Sequence, residues 1–356
     1  MSERDRASIA GGSSAERRPA ALFMRVARLA GCAFLGILML GATGWGVLAL
    51  YYFDHLSVTL RTGLAAVFAL ASLIALVGFA LPRWRWRALA IYLVLFAALL
   101  VSWRAIEPSN DRDWQPEVAV LPYATVDGDR ITVHNIRNFD YRTETDFTPA
   151  YYDKTFDLRR LEGVDVVASY WMGPAIAHIF LSFAFEGGDH LAISIETRKE
   201  HGESYSTMQG FFRQYELYYV VADERDLIRV RTNYRKDPPE DVYVYRVHGP
   251  VENGRRVFLQ YIEEINALKD RPEWYNTLTT NCTTAIWTHT RINPGHLPLS
   301  WKILATGHAP EYLYEMGRLD RDVPFAELQR RAHVNARAQA ADKAADFSRK
   351  IRAELP

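Results

Sequence analysis

The chain has 356 residues and two cysteines, and only Cys282 stands in polar surroundings, within Trp274-Tyr275-Asn276-Thr277-Leu278-Thr279-Thr280-Asn281-Cys282-Thr283-Thr284. A thiol attacks a carbonyl as its thiolate. A helix N-terminus and a neighbouring histidine are two devices that favour that form. Thr279, Thr280 and Asn281 are capping-type residues, and the pattern predicts a short helix over Thr283–Thr290, opening just after Asn281 and Cys282. Cys282 then lies in the first turn, where the helix dipole favours negative charge. The backbone N–H groups there suit an oxyanion, with Asn281, Thr283 and Ser194 as candidate contributors around it. The alternative is a structural cysteine packed as a small hydrophobe. Its polar neighbours count against deep apolar packing.

Among ten histidines, His178 is singled out as the base by the pattern of its strand. In Ala177–Phe185 the odd positions Ile179, Leu181, Phe183 and Phe185 are apolar, and the even positions include His178 and Ser182. In His190–Arg198, Leu191, Ile193 and Ile195 are apolar, while Ser194, Glu196 and Arg198 are polar. With the odd sets facing the core, the even sets share the other face. This requires an odd-length turn such as Gly187–Asp189, which sets Ser194 opposite Ser182 and Glu196 on a diagonal to His178. Cys282, His178 and Glu196 then form a nucleophile, a base and an orienting carboxylate. The competing reading is the solvent face of an edge hairpin. His190, His289 and His296 are rival bases. His190 adjoins the turn, and His289 lies about two helical turns from Cys282. No HExxH or CxxC spacing occurs, so neither metal nor cofactor is expected.

These residues must be positioned by the rest of the chain. Three apolar runs come first: Leu29–Phe53, Gly63–Leu81 (ended by Pro82) and Ala88–Trp103. The first two have the length of a membrane span; the third is slightly short. Arg4, Arg6, Arg17, Arg18, Arg25 and Arg28 precede the first run. Arg83, Arg85 and Arg87 lie between the second and third, and only Arg61 lies between the first and second. The positive-inside rule then sets the N-terminus in the cytoplasm and everything after Trp103 outside it. A third run lying flat in the interface would reverse the domain's side. An exported Cys282 has no partner for an intrachain disulfide, which favours a chemical role. The formal net charge of zero argues against nucleic-acid binding.

Beyond the spans, strands are expected at Val118–Thr125 and Arg130–Val133 around Asp127-Gly128, at the His178 hairpin, and at Leu217–Ala222, Leu227–Thr232 and Val242–Val247. A helix is expected over Val251–Leu268, with Phe258, Ile262, Ile265 and Leu268 at helical spacing. The tail from Phe325 is rich in Ala, Arg and Gln and reads as a solvated helix or frayed end. The expected organisation is a basic N-terminus at 1–28, spans at 29–103, a connector at 104–116, an α+β domain with antiparallel sheet at 117–320, and a polar tail at 321–356.

Several segments together resemble the periplasmic domain of the Lnb-type bacterial lipoprotein N-acyltransferases. They are His134–Arg142, His178–Phe183, Ser194–Arg198, Tyr215–Val220, Asp223–Asp226 and the Tyr275–Thr284 stretch. The resemblance spans about residues 117–320. It implies a circularly permuted papain-like fold, similar to NlpC/P60 cell-wall peptidases, in which the histidine strand precedes the cysteine helix. His178 precedes Cys282, as that order requires. It also implies Cys282 and His178 as the reacting pair, with Glu196, Ser194 or Asn281 as the third member. In the family further spans follow the domain, whereas here the spans precede it.

Three functions are therefore expected to compete. The leading one is a thiol acyltransferase that takes an acyl group from phospholipid onto Cys282 and passes it to an amine such as a lipoprotein N-terminus. A peptidoglycan amidase or endopeptidase would use the same pair, with water resolving the thioester. A silent anchored scaffold would bury Cys282 and His178 apart. An apolar channel favours the first, a groove with exposed aromatics the second.

Overall fold

The computed structural model of the protein describes residues 3–53, 56–353 and 355, the side chains of residues 3–21 excepted. Arg4, Arg6, Arg17 and Arg18, used for the orientation, thus lie outside the described side chains. The chain divides into two compact units, residues 1–107 and 108–356.

The first unit holds α1 (Glu3–Tyr51), α2 (Val58–Ala80) and α3 (Arg85–Arg104). Each is long and apolar enough to cross a membrane. The third run, short in sequence, becomes a helix of 20 residues because its arginine-bearing flanks join it. At 1.5 Å per residue that is about 30 Å, the thickness of a hydrocarbon core. Ser57 caps α2 by accepting from Leu60 N–H.

The second unit is a mixed α/β domain. Its elements are β1 (Tyr123–Asp127), β2 (Arg130–Arg137), β3 (Asp140–Tyr141), β4 (Phe147–Thr148), β5 (Tyr151–Asp157), β6 (Leu161–Tyr170), β7 (Ala177–Phe185), β8 (Asp189–Arg198), β9 (Glu216–Ala222), α4 (Glu224–Arg229), β10 (Asp241–Arg246), α5 (Val251–Asp270), α6 (Cys282–Thr290), α7 (Trp301–Leu304), α8 (Ala309–Glu315), α9 (Phe325–Ala332), α10 (Asn335–Ala340) and α11 (Phe347–Ile351). The main sheet runs β1-β2-β9-β8-β7-β6-β10, with β5 also paired to β2. Every pairing is antiparallel except β2 with β9. Phe183, Ile193 and Tyr219 pack on one face against Phe258 and Tyr261 of α5 and Ala285 of α6. Phe180, Val220 and Val244 pack on the other against Leu227 and Ile228 of α4 and the C-terminal helices.

Five expectations are corrected. The β7–β8 hairpin lies mid-sheet and is covered on both faces, so it is no solvent-facing edge. Its loop is Glu186–Gly188, with Phe185 opposite Asp189, one residue earlier than expected. Ser182 consequently faces Ala192, not Ser194. Loop parity is unchanged, so the even residues still share a face, and continuing the register sets His178 level with Glu196.

The segment Leu227–Thr232 is helical, as α4 followed by a π-turn at Val230–Tyr234. A short apolar run does not distinguish strand from helix. Asp223 decides it by capping α4, its carboxylate accepting from Arg225 N–H at 2.9 Å. Strand β1 begins at Tyr123, because Pro116–Val118 forms a 3₁₀ turn. Finally, the tail is neither solvated nor frayed. Val334, Ala338, Phe347 and Ile351 are fully buried. They cover the sheet face that carries Phe180 and Val244, which would otherwise meet water.

Candidate active site

Helix α6 begins at Cys282, and the residues before it fix that start. Asn281 Oδ1 accepts from the N–H groups of Thr283 and Thr284 at 3.0 and 2.9 Å. Its Nδ2 donates to Thr277 O at 2.8 Å. Asn276 Oδ1 in turn accepts from Leu278 and Thr279 N–H. The Asn281 amide is therefore engaged in holding the helix start. Among the described residues, the cap leaves the Cys282 N–H as the donor over at the helix start. Thr283 is buried, with its hydroxyl 3.7 Å from Cys282 Sγ.

The Cys282 thiol is half-buried, and the His178 ring and the Ile179 backbone N–H act on it electrostatically. His178 Nε2 faces the other way, 2.6 Å from Ser194 Oγ and 3.5 Å from Glu196 Oε1. Ser194 donates to Glu196 Oε1 at 2.8 Å, so its oxygen lone pair receives the imidazole N–H. The structure thus brings together Cys282, His178, Ser194 and Glu196.

Sequence reasoning missed what lies behind Glu196. Arg231 Nη2 meets Glu196 Oε1 at 2.9 Å, and its Nη1 meets Glu240 Oε2 at 3.2 Å. Glu240 also takes Arg235 Nη1 at 2.5 Å and the Ser169 hydroxyl. Ser169 pairs with His178 across β6 and β7. Arg231 was hidden because its segment reads as a strand. The Asp223-Glu224-Arg225-Asp226 capping signal was the available clue to the helix that delivers it.

Burial alone pushes the Cys282 thiol up. The His178 charge and hydrogen bond, the Ile179 N–H and the Thr283 hydroxyl reverse the sign and hold it down at about 7. His178 is lowered by burial and by Arg231, but the thiolate and Glu196 outweigh them and raise it. Glu196, also penalised by burial, is held well below the usual carboxylate range by the His178 hydrogen bond and the Arg231 charge. All three directions favour a thiolate beside an imidazolium at neutral pH.

The rival histidines are engaged elsewhere. His289 is buried, accepts or donates at 2.7 Å with the Tyr219 hydroxyl, and is pushed down to about 4 by that burial. His190 binds Gly188 O at the far end of the hairpin. His296 contacts Leu297 O at the surface.

A cavity of about 230 Å³ lies along helix α6, and its lining includes Thr283, next to Cys282, but not Cys282 itself. Thr283 and Ile179, both partners of Cys282, form part of its wall. Val164, Val166, Leu181, Val257, Ile286 and Trp287 make most of the remainder apolar.

Fold and site together define an α/β domain that carries an electrostatically coupled Cys–His pair and an apolar cavity along the cysteine helix, preceded by three helices able to span a membrane. Residues 147–307 match the family model of the Lnb N-terminal periplasmic domain, and this part of the chain belongs to that Lnb-type family. The matched segment contains Cys282, His178, Ser194, Glu196, Arg231 and Glu240. No curated protein and no solved structure gives a match. The protein is accordingly a membrane-anchored periplasmic protein.

Proposed function

We propose that the domain is a cysteine-dependent acyltransferase, held by three passes through the inner membrane with its site in the periplasm and built on a permuted papain-like plan. The observation that carries this reading is Cys282, its thiol held down beside His178, on a helix whose next residue, Thr283, lines an apolar cavity. In the first half-reaction, Cys282 Sγ attacks an ester carbonyl of a phospholipid. The Cys282 N–H receives the developing oxyanion. As the C–O bond breaks, His178 gives its proton to the departing alcohol, and the acyl group remains on sulfur. In the second, an amine such as a lipoprotein N-terminus attacks the thioester, His178 takes the amine proton, and Cys282 leaves as thiolate. Ser194 and Glu196 hold the imidazole in the tautomer and orientation both steps need.

Intact mass spectrometry of the membrane-embedded protein tests this, with wild type beside Cys282→Ser and His178→Ala. The expected result is a hydroxylamine-sensitive acyl adduct in wild type alone. Its absence, together with Cys282-dependent cleavage of muropeptides, would replace acyl transfer by cell-wall hydrolysis. Absence of both activities would leave a scaffold.

A further inference from the structure

We propose that the active-site end of the domain docks directly onto the bilayer surface through an apolar rim around Cys282 and His178. The inference rests on α1–α3 crossing the membrane, and not on the chemistry at Cys282. The occupant of the rim is lipid.

The rim is made of two pairs of neighbouring segments. The loop from β6 to β7 runs straight into His178 and exposes Met172 and Ile176. Against it lies the segment that follows α7, with Thr306 Oγ1 bonded to Ala177 and Gly307 N–H donating to Ala175 O. That neighbour exposes Trp301 and Leu304. The loop leading into Cys282 exposes Leu278. Thr277 ties it to the 207–210 segment, where Met208 is exposed. Exposed apolar side chains are ordinary when scattered. Here six large ones gather at one end of the sheet, Met172 at 67 % and Trp301 at 61 % exposure. The opposite end of the hairpin, about 30 Å away along nine-residue β7, exposes Glu186, Gly187 and Gly188 instead.

The chain itself indicates the bilayer as occupant. The connector enters the domain at the same end of the sheet as the site. Ser109 N–H donates to Glu216 Oε1 at the start of β9, and Asn110 Oδ1 accepts from Arg198 at the end of β8. Antiparallel pairing sets Arg198 opposite Glu216, and Glu196 opposite Tyr218, at the His178 end. Only four residues separate Arg104, the end of the third candidate span, from Ser109, five Cα–Cα steps in all. Fully extended they reach about 18 Å. The site end is therefore tethered close to the membrane interface, where Trp, Leu, Ile and Met side chains gain by leaving water.

The test uses the full chain in nanodiscs of phosphatidylethanolamine and phosphatidylglycerol. In a Cys32→Ser, Cys282→Ser background, Met172→Cys, Leu278→Cys and Glu186→Cys each carry one environment-sensitive fluorophore, and brominated lipid serves as quencher. Quenching several-fold stronger at 172 and 278 than at 186 is expected. It should be lost at 172 when Leu278→Asp and Trp301→Asp are introduced together, with the thermal melt unchanged. Equal quenching at all three positions, or quenching confined to 186, would overturn the docking. Co-elution of protein and disc reports the anchoring separately. Failure there would sink the membrane reading itself, whatever the state of the Cys282 chemistry.

Discussion

His178 Nε2 lies 2.6 Å from Ser194 Oγ and 3.5 Å from Glu196, so the hydroxyl is the nearer orienting group and the carboxylate acts largely through it. Ser194→Ala removes the bridge but leaves the Glu196–Arg231 ion pair. We expect thioester formation to slow by about tenfold, the weight of one ordinary hydrogen bond, with little change in thermal stability. Single-turnover acylation and a thermal melt on the same preparation check both halves. An unchanged rate would show that Ser194 does not position the imidazole.

The low position of the Cys282 thiol depends on His178. Alkylation by iodoacetamide follows the thiolate, so its rate in wild type should rise with a midpoint near pH 7. Burial opposes the charged thiolate. His178→Ala removes the opposing charge and leaves burial, and the midpoint should move above 9, the value of an unperturbed thiol. A His178→Ala midpoint still near 7 would assign the activation to the helix start and the Ile179 N–H instead.

Much of this site was legible because it rests on local signals. Capping residues announced the start of α6, and strand alternation gave the face shared by His178, Ser194 and Glu196. That face survived an error in the turn because two odd-length loops preserve parity. Depth in the sheet was not legible. The even positions Phe180 and Ser182 are buried under α10 and α11, drawn from a tail whose composition reads as polar. Arg231 was equally hidden. Its partners Glu196 and Glu240 come from separate strand and loop segments, and no spacing rule links them.

The carboxylate behind the site should contribute to the domain's acid sensitivity. Glu240 sits between Arg231 and Arg235, and although burial pushes it up, their charges bring it down to about 2. Its folded value lies below the unfolded one, so its contribution is fully present above about pH 4.5 and is lost as pH falls toward 2. Glu240→Gln should cost about 3 kcal/mol at pH 7, because the buried Arg231 and the half-buried Arg235 lose their shared partner. Urea unfolding at pH 7 and pH 3 should show that gap narrowing at the lower pH. A gap independent of pH would mean the loss is one of packing.

The cavity beside Thr283 should set the length of the acyl chain. Val164 lines it and is only partly buried, so Val164→Phe can narrow the space with modest strain, about 1–3 kcal/mol at most. The adducts recovered from this variant should shift toward shorter chains while Cys282 alkylation stays as in wild type. An unchanged chain distribution would place the acyl group elsewhere.

The C-terminal tail is held by a charge it delivers into the sheet. Arg352 Nη2 meets Asp165 Oδ2 at 2.7 Å, and its Nη1 meets Glu224 Oε2 at 2.7 Å; both carboxylates are buried. Arg246 also reaches Asp165, at 2.6 Å, and Ser182 donates to Glu224 at 2.6 Å. Glu224 therefore depends on Arg352 for its compensating cation more than Asp165 does. Arg352→Ala should destabilise the domain by about 3 kcal/mol, the usual cost of stranding a buried charge. Adding Glu224→Gln removes that charge and should recover part of the loss, which denaturant titration of the two variants would measure. If the double variant is no more stable than Arg352→Ala, the tail is held by Phe347 and Ile351 and the ion pairs contribute little.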